Sequence, residues 1–331
     1  MKNLLYVFLI VLLTGSCRQK VVDTSHFNQV GQVLWVVGDI GNVMHHWSEL
    51  GFTQYADLGV VTAELITNHK QTRLKIVKAF LGGADVTWIQ PLEGVSVFSD
   101  FNKEYGDGAM SLVHRFPDLK SLKKELKRMS AIGIKVLEEV RINVDQGTLH
   151  YFLMDTRKEG KYTLAYTYGD TDLNIAKGFT GENRLGLILS QYAFAIRDAG
   201  PVSEYWNRIG QPAFEISNPE LFETKYYGEI VDHQLIQGWQ RQGTIPYEWC
   251  IPVKPPIVYE DHINKHGEGI HHLAFNVDNM DAVLDDFRTR GYIVSMGGAW
   301  GEKDKPGSGR YEYIDLEHAG GLTMELLWNY Q

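Results

Sequence analysis

Cysteine is scarce in this chain of 331 residues, which has only Cys17 and Cys250. Two cysteines cannot build the disulfide framework on which small secreted domains depend. The core must be stabilised by burial, and a chain of this length can do that. Positive charge is also short: 32 Lys and Arg stand against 41 Asp and Glu, net charge is −9, and no long basic run occurs. This excludes the electrostatic footprint of a nucleic-acid binder and turns the expectation toward small-molecule partners. The apolar run from Leu4 to Leu13 falls well short of the roughly 20 residues that a membrane-spanning helix needs.

What is present begins with that run. MKNLLYVFLIVLLTGSC has an early lysine, a short apolar centre and small residues before a cysteine, which is the anatomy of a secretory signal. Its ending, Leu13-Thr14-Gly15-Ser16-Cys17, resembles the lipobox of bacterial lipoproteins, with Thr14 where that pattern prefers Leu. The expectation is a signal peptide over 1–16, lipidation at Cys17 and a linker over 17–26. The globular part would then be anchored to a membrane of the cell envelope, facing the periplasm or the cell surface. An acylated Cys17 leaves Cys250 without a disulfide partner.

A repeat organises the remainder. HHLAFNVDNMDAVLDDFRTRGY, from His271, reads as a strand, a turn at Asp278-Asn279, a helix with Met280, Val283, Leu284 and Phe287 on one face, and a stop at Gly291. The same plan starts at Gln32, Ser111 and Gln191. Aligned on strand and turn, Gln32, Ser111, Gln191 and His272 are equivalent, at separations of 79, 80 and 81 residues. Each unit closes on a further strand, DVTWIQP, KYTLAYTY, YEWCIP or LTMELLWN, whose equivalent positions are Thr87, Ala165, Glu248 and Glu325. Alternating segments between them, such as LKIVKAFL and RYEYIDL, supply two more strands per unit. The chain is thus expected to be α+β, with four βαβββ modules in two domains, 27–170 and 188–331, joined by a polar linker over 171–187.

The repeat register sorts the chemistry by half. Gln32, Thr87, Ser111 and Ala165 carry no charge to offset the dehydration of a cation, whereas Gln191, Glu248, His272 and Glu325 can hold one. Four ligand-type residues in register arise by chance roughly once in a few hundred trials, if about a quarter of residues are ligand types. Strict strand alternation places His271 on the face opposite His272, so His271 is expected to matter for packing.

With these residues the chain resembles the vicinal oxygen chelate superfamily over nearly all of its mature length. GIHHLAFNVDNMDAVLDDFRTRGY and LTMELL are similar to the corresponding strands of methylmalonyl-CoA epimerase, and Gln191, Glu248, His272 and Glu325 to the ligand set of glyoxalase I. Tandem paired modules with one metal site also resemble extradiol ring-cleavage dioxygenases. The resemblance implies two tandem glyoxalase-like cup domains, the N-terminal one with a degenerate metal site. Dioxygen-activating iron takes two histidines and one carboxylate, while this mainly oxygen set suits Zn, Ni, Co, Mn or Mg as a Lewis acid. The expected activity is abstraction of a proton α to a carbonyl of an oxygen-chelating substrate, through a metal-stabilised enediolate, by an isomerase, epimerase or lyase. Glu325 is the first candidate base and Glu248 the second.

Further candidates are Asp232 or His233 as a second acid or base, and Arg310, in a Gly- and Pro-rich loop, as an anion grip. His45 and His46 read as helix-surface residues, and His114 and Cys250 as packed ones. The alternatives are a non-catalytic ligand-binding lipoprotein and a ring-cleavage-type dioxygenase. Envelope anchoring argues against cytoplasmic thioesters as substrates and favours a sugar-derived or other small keto or hydroxy compound. The partners are then a small-molecule substrate, the membrane through the lipid anchor, and a second copy if the chain forms a homodimer.

Overall fold

A computed structural model describes residues 23–303 and 305–329; the expected signal peptide and Cys17 lie outside the described residues. In all four repeats the strand runs into a helix whose N-cap carries a short polar side chain. Asp39, Asp118, Asp198 and Asn279 each accept from a backbone N–H of the first helical turn, worth about 1 kcal/mol apiece. At the other end Gly210 and Gly291 take φ of 114° and 86°, which residues with a Cβ resist.

The first half forms a closed barrel from β1 (Gln32–Val36), β2 (Tyr55–Leu65), β3 (Lys70–Leu81), β4 (Ala84–Glu93), β5 (Gly108–Phe116), β6 (Val136–Val144), β7 (Gly147–Met154) and β8 (Thr163–Tyr168). Its helices are α1 (Ile40–Glu49), α2 (Val97–Tyr105), α3 (Leu119–Ala131), α4 (Arg157–Gly160) and α5 (Thr171–Ile175). The second half is a curled ten-stranded sheet of β9 (Ile188–Ala195), β10 (Glu215–Ser217), β11 (Leu221–Tyr226), β12 (Glu229–Ile230), β13 (Gln234–Gln240), β14 (Tyr247–Lys254), β15 (Gly269–Asn276), β16 (Val294–Trp300), β17 (Gly309–Leu316) and β18 (Leu322–Asn329). It carries α6 (Ala199–Ile209), α7 (Val258–His266) and α8 (Met280–Thr289). No helix among the described residues is long and apolar enough to cross a membrane.

The α+β class and the paired curled sheets are as the repeat led us to expect, but the two halves differ in closure. In the first, β2 is continuous and pairs with both β3 and β6. In the second, the equivalent segment breaks at residues 218–220, where Pro219 has no N–H to give a ladder. Its two pieces go to opposite flanks of the sheet, β10 pairing with β13 and β11 with β16. The barrel interior is filled by Leu34, Ile76, Ile89, Met110, Val113 and Leu153, whereas the open sheet wraps a cleft of about 1490 Å³.

The convex face of the open sheet is not left to water. Met280, Val283, Leu284 and Phe287 of α8 join one apolar cluster with Phe275, Met324, Trp35 and Trp88, and this cluster runs through both halves. Each such side chain contributes about 1.5–3 kcal/mol by leaving water. Trp35 and Trp47 donate their indole N–H groups to the carbonyls of Gly320 (2.7 Å) and Ala319 (3.1 Å), across the boundary between the halves.

Candidate metal centre

The register within each module puts the first and last strands side by side and parallel. Leu34 pairs with Thr87, Val113 with Ala165, Ala193 with Glu248 and Ala274 with Glu325. Between modules, β15 runs antiparallel to β9, matching Ala193 to His272 and Ala274 to Gln191. Two rows result, one with Glu248 and His272 on either side of Ala193, the other with Gln191 and Glu325 on either side of Ala274. Two alanines at the middle of the rows leave room for the long side chains to converge.

They do converge. His272 Nε2 lies 3.2 Å from Glu325 Oε2 and 3.6 Å from Glu248 Oε2, and all three side chains are buried. Among the described residues this trio is the one group of three His, Cys, Asp or Glu side chains arranged closely enough to hold a metal ion. Gln191, Glu248 and Glu325 border the same cleft. Gln191 Oε1 and Glu248 Oε2 are buried oxygens without a hydrogen-bond partner. Such orphans cost about 1–3 kcal/mol each, more for a charge; Gln32 Oε1, Thr87 Oγ1 and Ser111 Oγ of the barrel are orphaned too, so it is the carboxylates and the imidazole that distinguish this site. Glu248 Oε1 is held by Gln237 Nε2 at 2.5 Å, which leaves Oε2 aimed inward.

The electrostatics point the same way. Burial draws the His272 imidazole toward its neutral form, but the two neighbouring carboxylates, Glu325 at 3.2 Å and Glu248 at 3.6 Å, outweigh it and hold its pKa up to about 9. Burial pushes the Glu325 carboxyl up, the Glu248 charge adds to that, and only His272 and Tyr313 pull it down. Two carboxylates in this setting call for positive charge, and a divalent cation supplies more of it than one imidazolium proton. In the barrel the equivalent Gln32, Thr87, Ser111 and Ala165 are buried without a carboxylate or imidazole among them.

Tyrosines form the wall above the trio. Tyr259 and Tyr313 share a 2.6 Å hydroxyl contact, and Tyr311 lines the cleft beside them. Trp239, Trp300, Phe222 and Arg241 also line it.

Several expectations need correction. His271 does not face away from His272. The pairing slips between Ile270↔Phe194 and His272↔Ala193, so His271 is the extra residue of a β-bulge, and a bulge turns two consecutive side chains to one side. Its Nδ1 is 2.8 Å from His272 Nδ1. Asp232 is exposed, bound to Lys254 at 2.5 Å, and does not border the cleft. His233 is buried behind the wall, its Nε2 3.1 Å from the Tyr311 hydroxyl. Arg310 borders the cleft with its guanidinium engaged by Asp281 (2.8 Å) and Glu312 (2.9 Å), so it is not a free anion grip. His46 is no simple surface residue, since its Nδ1 meets the Tyr292 hydroxyl of the other half at 2.9 Å. His114 and Cys250 are buried as expected.

Sequence reasoning missed Gln237, Tyr259, Tyr311 and Tyr313. The alternating aromatics of RYEYIDL were a usable signal for the two tyrosines of β17. Gln237 lies in a stretch where the repeats align loosely.

Residues 190–307 match the family model for the Glyoxalase/Bleomycin resistance protein/Dioxygenase superfamily. A mutant of 4-hydroxymandelate synthase from Streptomyces coelicolor is similar in structure, with a TM-score of 0.57 at 15% identity over 91% of this chain and 92% of that one. A catechol 2,3-dioxygenase gives 0.48 at 12% identity over 92% and 88%. The fold and the buried carboxylate–imidazole site define a tandem cup protein with a candidate metal centre in its second half. Residues 190–307 are thus similar in sequence to that superfamily, and the likeness of the whole chain to the solved synthase is one of fold.

Proposed function

We propose that the chain is a divalent-metal-dependent isomerase, epimerase or lyase that moves a proton α to a carbonyl in a small substrate carrying two neighbouring oxygens. The observation that carries this reading is the donor set: one imidazole, two carboxylates flanking it, and an amide oxygen, with Glu248 Oε2 and Gln191 Oε1 otherwise unpartnered. A bound cation would supply Lewis-acid polarisation of the substrate oxygens. His272, Glu248, Glu325 and Gln191 would hold it. Glu325 is the proposed base: it lies 3.2 Å from His272 at the border of the cleft, and burial and the Glu248 charge raise its carboxyl above the usual carboxylate range in the absence of metal. Glu248, on the other flank of His272 and held by Gln237, would be the residue that returns a proton. The buried pair Tyr259 and Tyr313, joined through their hydroxyls, lines the same cleft.

A ring-cleaving oxygenase centre would take two imidazoles and one carboxylate. Gln191 and Glu248 offer oxygen instead, which favours proton transfer over redox chemistry. The lipid-anchored reading of the N-terminus further favours a sugar-derived or other small keto or hydroxy compound over cytoplasmic thioesters. The test is metal analysis of the purified chain, followed by C–H to C–D exchange in D2O across a panel of ketosugars and hydroxy acids. Stoichiometric metal and exchange that is lost in Glu325→Gln are expected. A metal-free protein overturns the proposal; metal without exchange or turnover on any panel member moves the assignment to a binding cup.

A further inference from the structure

The bulge in β15 has a counterpart in the barrel. Between β1 and β5 the pairing slips from Leu34↔Ser111 to Trp35↔Ala109, so Met110 is the extra residue where His271 is the extra one in the second half. Both side chains turn inward: Met110 packs in the apolar barrel interior, and His271 is 1% exposed against His272. The backbone irregularity occurs in both halves, while a hydrogen-bonding side chain stands on it only in the half that carries the acidic ligands.

The ring geometry is specific. His272 turns Nε2 to Glu325 and Glu248, and its other nitrogen, Nδ1, lies 2.8 Å from His271 Nδ1. The two rings are nearly perpendicular, at 89° with centroids 5.0 Å apart. Tyr259 and His262 close on His271 at centroid distances of 5.1 Å and 4.9 Å, both edge-on. An imidazole that gives its Nε2 lone pair to a metal carries its one hydrogen on Nδ1, and that hydrogen needs an acceptor.

We infer that His271 is a positioning residue for the metal centre: its Nδ1 accepts the Nδ1–H of His272, which fixes Nε2 as the coordinating nitrogen and sets the ring plane. This rests on the metal-centre reading above. It also assigns the hydrogen of His271 to Nε2, because two N–H groups cannot meet at 2.8 Å. Outer partners of this kind are usually carboxylates or backbone carbonyls, and losing one costs about 10- to 100-fold in metal affinity.

The direct test needs no variant. In 15N-labelled full-length protein loaded with Zn(II), a His272 Nδ1–H proton in slow exchange, with scalar coupling across the hydrogen bond to His271 Nδ1, is expected. A spectrum that puts the His272 proton on Nε2, or shows no coupling to His271, overturns the inference. Co(II) competition against a chromophoric chelator adds the energetic arm. His271→Phe, which keeps a ring but has no acceptor, should bind about 10- to 100-fold more weakly, and His271→Gln, whose amide oxygen can accept, should recover most of the loss. Equal affinity for wild type and His271→Phe, or equal losses in both variants, overturns the inference while the metal centre stands. Failure of the wild type to take up Zn(II) or Co(II) overturns both.

Discussion

The carboxylate pair gives a prediction that separates a metal site from a structural ion cluster. In the metal-free protein Glu325→Gln removes one of the two carboxylates beside His272. The lost charged hydrogen bond at 3.2 Å is worth about 1.5–3 kcal/mol. Against this, Gln keeps hydrogen-bonding capacity, the uncompensated burial of a second carboxylate disappears, and Glu248 remains 3.6 Å from His272. The balance lies within about 1 kcal/mol of zero, whereas breaking a self-sufficient buried ion pair costs about 3–5 kcal/mol. With metal the two separate: at a free concentration of 100 times Kd the wild type gains about 2.7 kcal/mol, and a variant lacking a charged ligand gains little. Urea unfolding of both proteins, with chelator and with Zn(II), measures all four quantities. A chelated variant more than about 3 kcal/mol less stable than chelated wild type, together with no Zn(II) effect on wild type, would refute the reasoning.

Other perturbations bear on other links of the chain from sequence to site. Ala274→Leu places a branched side chain between Gln191 and Glu325 without touching a charge; metal uptake should vanish at an overpacking cost of about 1–3 kcal/mol, read by metal analysis and urea melts. Gln237→Leu frees Glu248 Oε1, and isothermal titration with Co(II) should show affinity about 10-fold lower, with a loss of about 1–3 kcal/mol in urea melts of the metal-free protein because a buried carboxylate oxygen loses its partner. The His266–Glu317 pair, whose His266 Nδ1 also reaches the Tyr105 carbonyl in the barrel half, should make Glu317→Gln pH-dependent. Burial opposes the charged form of both partners, yet His266 and Lys265 together hold Glu317 down to about 2, and Glu317 with the Tyr105 carbonyl holds His266 above its ordinary value. The Glu317 contribution is full above about pH 4.5 and lost as pH falls toward 2; that of His266 is full below about 6.5 and lost as pH rises through its raised value. The destabilisation should therefore peak at about pH 5 to 6 and shrink at high pH, in thermal melts across that range.

The fourfold plan was legible because it is written in one-dimensional signals: an apolar strand, a short polar cap, an amphipathic helix and a glycine stop. The same register brought Glu248, His272 and Glu325 to notice, since parallel first and last strands keep equivalent positions level in every module. His271 was misread because alternation assumes an unbroken ladder, and nothing in GIHHLAFNV announces the extra residue. Asp232 and His233 were misjudged for a related reason. The second strand of the third module splits at Pro219, and the repeat no longer dictates which neighbouring residues reach the cleft. That split is also why one half encloses a filled interior and the other an open one, a difference in chain path that composition does not reveal.

The apolar cluster running through both halves bears on how far the ligand-free half can be regarded as dispensable. Phe52 meets Phe275 at a ring distance of 5.5 Å, on the strand that carries His272, and Tyr292 reaches back to His46 and Glu49. A fragment beginning at residue 188 would retain every candidate ligand yet present Phe275 and its neighbours to water, a patch that favours aggregation over folding. The barrel thus serves as the template on which the site-bearing sheet holds its curvature.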